Sequence, residues 1–108
     1  MTTVNYREKI LELINNLQEI VDSKSEDNFL DLLHRMLYYA ELYFIEKSLE
    51  YQLDSQKKAQ VKEERTDVVK KLDSFGQRFS MGEKNVFGDV KEFLHQWREK
   101  LEKEAQAT

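Results

Sequence analysis

The chain has 108 residues, no Pro, no Cys and only three Gly; 35% of its residues are charged and its net charge is −4. That length supports one domain over 1–108 with a single core and no covalent staples, and the composition is that of a helical protein whose lack of cysteine excludes disulfides and thiolate metal sites and fits a reducing cytoplasm. Lys and Arg are interspersed with Asp and Glu, leaving no concentrated basic face for nucleic acid; the opening MTTVNYREKI has no apolar signal core, and no apolar run approaches the roughly 18 residues of a membrane span.

The first helix is expected over about 4–21, capped by Thr2 or Thr3. Tyr6, Ile10, Leu13, Ile14, Leu17 and Val21 recur at steps of three and four residues, as on one face of an amphipathic helix, and Arg7 shares that face. A loop follows at 22–25, with Ser25 as N-cap and the acids Glu26 and Asp27 in the first turn of the second helix.

The second helix, over 26–53, is the organising element, because it carries two apolar faces. Phe29, Leu33, Met36, Leu37, Ala40, Phe44 and Tyr51 form a core stripe interrupted by Lys47. Nearly opposite lies a second stripe of Tyr38, Leu42, Ile45, Leu49 and Leu53. Asp54 and Ser55 make a turn and a cap for a third helix over 56–79, whose core residues are Val61, Val68, Leu72, Phe75 and Phe79 with Arg65 on the same line. Ser80 and Glu83 have the capping-box spacing for a fourth helix over 81–105, burying Phe87, Val90, Phe93, Leu94, Trp97 and Leu101. The polar segment 98–108 reads as a solvated helix end that frays. Four amphipathic helices with short loops predict an all-α, antiparallel, up-down-up-down four-helix bundle.

Most catalytic chemistry lacks candidates. There is no Cys, no Ser sits beside a His in a glycine-supported turn, and three isolated glycines cradle no phosphate. Asp31 with His34 and Glu92 with His95 have the spacing of bundle metal ligands, but Asp31, Glu92 and His95 fall opposite the core stripes, and His34 flanks its stripe as a surface or hydrogen-bonded residue. Met36, Met81 and the aromatics read as core filling.

Three segments resemble the hemerythrin-like family. REKILELIN over 7–15 is similar to its first-helix motif, which opens on a ligand His and closes in Leu-Ile-Asn. YAELYFIEK over 39–47 resembles the second-helix motif, where His-Phe precedes a ligand Glu, and FLHQWREKL over 93–101 resembles the last-helix motif, with Trp three residues before a ligand His. The resemblance implies the bundle fold and also where a di-iron site would lie. Its ligand positions carry Arg7, Tyr43, Lys47 and Lys100, with Ala105 at the family's Asp. In the third helix the family spacing puts the two His at Lys62 and Thr66, whereas the apolar period favours Val61 and Arg65. Protonated Lys and Arg have no lone pair for iron, so the expectation is a metal-free bundle with no cofactor and no enzymatic activity. Arg7, Tyr43, Lys47, Arg65 and Lys100 would mark the former metal pocket; burying unpaired cations costs several kcal/mol each, so they must be balanced by Glu64, water or an anion, or snorkel to water.

Single exposed apolar residues are ordinary, but five in line on the second helix predict a contact face, most simply for a two-fold homodimer. The sequence-level expectation is therefore a protein-interaction or regulatory module that dimerises through Tyr38, Leu42, Ile45, Leu49 and Leu53. The alternatives are a residual di-iron or oxygen-binding function through substitute ligands such as His34 and His95, and small-anion binding in the former metal pocket.

Overall fold

Helices form where the apolar period is continuous, and each stops at a residue that can turn the backbone. The computed structural model describes residues 5–106, with burial described through Glu104. It holds four helices: α1 (Tyr6–Asp22), α2 (Phe29–Glu50), α3 (Ser55–Ser80) and α4 (Val86–Gln106). No strand occurs among the described residues, and none of the helices is long and apolar enough to cross a membrane.

The caps account for the differences from expectation. Asn5 caps α1, its side chain accepting from Glu8 N–H at 3.2 Å; Thr2 and Thr3 lie outside the described residues. Ser25 does not cap α2. It belongs to the end of α1, where Ser25 N–H donates to Ile20 C=O at 3.0 Å and Lys24 N–H to Val21 C=O at 3.2 Å, with Lys24 left-handed at φ 54°. That is the bond pair of a Schellman ending with lysine in the position glycine favours. α2 therefore begins at Phe29 rather than at residue 26, after Asn28 at φ 65°. It ends at Glu50, so Leu53 lies in the following turn and not on the helix.

The capping box at Ser80 and Glu83 does not form either. Ser80 is the last residue of α3, and Gly82 at φ 82° donates to Phe79 C=O while Glu83 N–H donates to Arg78 C=O, each at 3.0 Å. A glycine free to turn left-handed converts this stretch into a helix ending, and α4 starts only at Val86. Of the two turn residues Asp54 and Ser55, it is Asp54 that caps α3, accepting from Lys57 N–H at 3.1 Å, and the helix begins at Ser55. Segment 98–106 is not a loose end: α4 continues through it, with Leu101 buried and Glu104 half-buried.

α1 packs on α2 and α4, and α3 on α2 and α4; α3 and α4 approach each other least. The buried residues form one core to which every helix contributes, and no polar or charged residue among those described is fully buried. α1 buries Ile10, Leu13, Ile14, Leu17 and Val21, and α4 buries Val86, Val90, Phe93, Leu94, Trp97 and Leu101. α3, at 26 residues the longest helix, buries only Val61, Leu72 and Phe75; Val68 and Phe79 are partly covered, and Arg65 is exposed despite its place on the core line. The two ends of the core differ in chemistry. At one, Phe29 meets Phe79 and Phe87 at ring distances of 4.6 and 5.1 Å, geometries that add to simple area burial. At the other, α2 and α4 present Tyr43, Lys47 and Glu104.

Candidate functional site

Tyr43 and Lys47 stand one helical turn apart on α2, a spacing that puts both side chains on one face. That face points inward, so two polar groups enter an otherwise apolar interior. Both turn toward the same acceptor. Glu104 of α4 takes a hydrogen bond from the Tyr43 hydroxyl on one carboxylate oxygen and an ion pair from the Lys47 ammonium on the other. The Lys47 side chain is 16% exposed and that of Glu104 30%, so the pair is shielded without being sealed. Lys47 Nζ also lies 3.5 Å from Tyr43 Oη and 5.5 Å from its ring centroid. Burial pushes the Tyr43 phenol pKa up strongly; the hydrogen bond and negative charge of Glu104 push it further, Glu64 adds to the rise, and Arg7 opposes it. Tyr43 is thus a neutral donor across the physiological range.

The five residues expected around a former metal site are not gathered into one pocket. Tyr43 and Lys47 are together, and half-buried Arg7 of α1 is near enough for its charge to act on Tyr43. Arg65 lies at the surface and pairs with Glu41 at 3.6 Å. Lys100, its side chain 61% exposed, reaches Glu64 at 3.8 Å. Each cation resolves the burial penalty differently: Lys47 by pairing inside, Arg65 and Lys100 by extending to water. Glu104 is the partner that sequence reasoning missed. The family resemblance pointed one residue further, to Ala105, and the mixed charges of 98–104 hid one inward-facing acid beside two exposed ones, Glu99 and Glu102. The period of α4 carried the signal, since Glu104 follows Trp97 and Leu101 at steps of four and three residues.

The donor set does not fit a di-iron centre. It offers no imidazole, and its one inward carboxylate is engaged by an ammonium and a phenol, whereas iron in such a site needs neutral imidazoles and free carboxylates. Asp31, His34, Glu92 and His95 are all exposed, and His95 Nε2 lies 3.1 Å from Glu99. Among the described residues no three His, Cys, Asp or Glu side chains are grouped to hold a metal ion.

The second candidate is the outer face of α2. Tyr38 is 61% exposed, Ile45 49%, Leu49 59% and Leu53, beyond the helix end, 103%; Leu42 is half-buried. Tyr38 is held edge-on against Tyr39 at 5.3 Å, and Tyr39 in turn stacks toward Tyr6 at 6.4 Å. Beside the stripe an open groove of about 450 Å³ runs between α2 and α3. Phe44, Ile45, Leu49, Ala59 and Val61 form its apolar lining, and Lys58, Lys62 and Arg65 stand along its α3 wall.

No protein-family model matches the chain, and no curated protein or solved structure is significantly similar to it.

Proposed function

We propose that the chain is a hemerythrin-like, up-down-up-down antiparallel bundle without di-iron ligands, acting in the cytoplasm as a non-enzymatic interaction or regulatory module that pairs with a second copy through α2. The alternation of helix direction is supported by contacts at one end of the bundle, where helix ends and helix starts meet. Phe29 at the start of α2 meets Phe79 at the end of α3 and Phe87 at the start of α4, and Asp22 at the end of α1 bridges to Lys91 early in α4 at 2.9 Å. The absence of metal chemistry is supported by the donor set at Tyr43, Lys47 and Glu104.

One observation carries the functional reading: Tyr38, Ile45 and Leu49 lie exposed in line on a helix whose opposite face buries Phe29, Leu33, Met36, Ala40 and Phe44 in the core. Scattered apolar residues need no partner, whereas a contiguous stripe does. The experiment is light scattering after size exclusion across a concentration series. The expected mass is that of two chains, falling to one in Ile45→Glu, with the circular dichroism spectrum unchanged. A monomer at every concentration would remove the homodimer. Metal analysis of protein purified without chelators tests the rest, since two irons per chain would overturn the metal-free reading.

A further inference from the structure

We infer that the two copies pair with their α2 helices antiparallel, centred between Leu42 and Ile45, so that Tyr38 packs on Leu49 of the partner subunit and Leu42 on the partner's Ile45. The inference rests on the reading of α2 as the contact face and adds its register, polarity and further contacts.

Three observations lead to it. The helical part of the stripe, Tyr38, Leu42, Ile45 and Leu49, has steps of four, three and four residues. That spacing is the same from either end, and a two-fold axis requires such self-complementarity. The charges along α2 are also uneven. Its first half holds Asp31 and Arg35, paired at 3.2 Å, while its second half holds Glu41, Glu46 and Glu50 against the single cation Lys47, which Glu104 engages. Parallel pairing would set the acidic halves side by side, whereas antiparallel pairing sets each against the near-neutral half and opposes the helix dipoles.

The third observation is area. A stripe from Tyr38 to Leu49 is only about 16 Å long at 1.5 Å per residue, and a stable interface covers about 800 Å² per partner. The remaining contact falls on the α2–α3 groove, which shares Ile45 and Leu49 with the stripe. Arg65 of α3 pairs with Glu41, and Ser48 and Lys58 line the same groove, so α3 runs back along α2. In the antiparallel register the partner's Glu41 comes level with the α3 segment between Lys58 and Lys62. Glu46 lies on the far edge of the stripe, so no acid opposes it. The groove thus presents two cations to one incoming carboxylate, which within its own chain pairs with exposed Arg65 at 3.6 Å; this complementarity steers encounter and fixes register.

The absence of cysteine makes the test direct. Tyr38→Cys and Leu49→Cys are each made in the full chain, oxidised alone and as an equal mixture, and resolved by mass. The expected result is a disulfide-linked dimer that joins Tyr38→Cys to Leu49→Cys in the mixture, with little self-linking of either variant. Lys58→Glu combined with Lys62→Glu is expected to raise the dimer dissociation constant at least tenfold in low salt. A light-scattering dimer in which Tyr38→Cys links to itself is parallel and overturns the register, as does a dimer that links in no combination. A charge-reversal variant that dimerises as tightly as the parent overturns the groove contact. If no dimer forms at all, the reading of α2 as a self-association face fails, and this inference fails with it.

Discussion

Removing the Glu104 carboxylate should destabilise the protein far more than its place near the chain end suggests. In Glu104→Ala the Lys47 ammonium, 16% exposed in the parent, loses its counter-ion and the Tyr43 hydroxyl loses its acceptor. Breaking a fully buried pair from one side costs about 3–5 kcal/mol. Glu104 retains 30% exposure and the lysine stem can reach toward water, so solvent screening reduces the expected loss to about 2 kcal/mol. The better helix propensity of alanine returns only a few tenths of a kcal/mol. For a chain of this size about 2 kcal/mol lowers Tm by roughly 10 °C. The double variant Lys47→Met with Glu104→Gln removes both charges and keeps an acceptor for Tyr43, and should lie within about 1 kcal/mol of the parent, because replacing both members of a shielded pair avoids the stranded charge. Urea unfolding followed by circular dichroism measures all three proteins. A loss below about 0.5 kcal/mol in Glu104→Ala, the range of ordinary surface changes, or a double variant as unstable as the single one, would refute the coupling.

The Tyr43 phenol is shifted upward chiefly by burial and then by Glu104, so the native state holds its proton more tightly than the unfolded chain, whose phenols ionise near pH 10. The stability this contributes is complete below about pH 10 and is lost as pH rises beyond it. Tyr43→Phe should flatten the alkaline fall in stability, and before unfolding its tyrosinate absorbance should coincide with that of the parent; an excess in the parent while it is still folded would contradict the assignment. Lys24 occupies a left-handed position at φ 54°, which costs a side-chain-bearing residue roughly 1–2 kcal/mol. After the greater freedom of glycine in the unfolded chain is deducted, Lys24→Gly should raise stability by about 0.5–1 kcal/mol in the same urea assay. α3 buries one residue, Val61, in its first half, so native-state hydrogen exchange should open residues 57–66 at lower free energy than the centre of α4; equal protection along the two helices would refute that ordering.

Helix number, order and inward faces were legible in the sequence because burial on a helix repeats every 3.6 residues, and that period survives any change of neighbours. The buried sets of α1 and α4 match their apolar periods almost residue for residue. The helix ends were less legible, since Ser25 and Ser80 have the chemistry of N-caps but serve the preceding helix. A Schellman ending depends on the left-handed turns at Lys24 and Gly82, and at Lys24 no glycine announces it.

The sequence by itself also determined that the core stripe of α2 carries a lysine, Lys47, and that α2 has apolar residues to spare. Only the tertiary structure decided what became of the cations on or beside the core faces. Lys47 turns inward because Glu104 reaches it from α4, which is not an adjacent neighbour of α2 in the helix packing, while Arg65 and Lys100 find acids at the surface and stay there. Pairing across a bundle joins residues far apart in the chain, and no local periodicity encodes which acid will meet which base. For the same reason, the position of the surplus stripe beside a cation-lined groove emerged only once α3 was seen packed along α2.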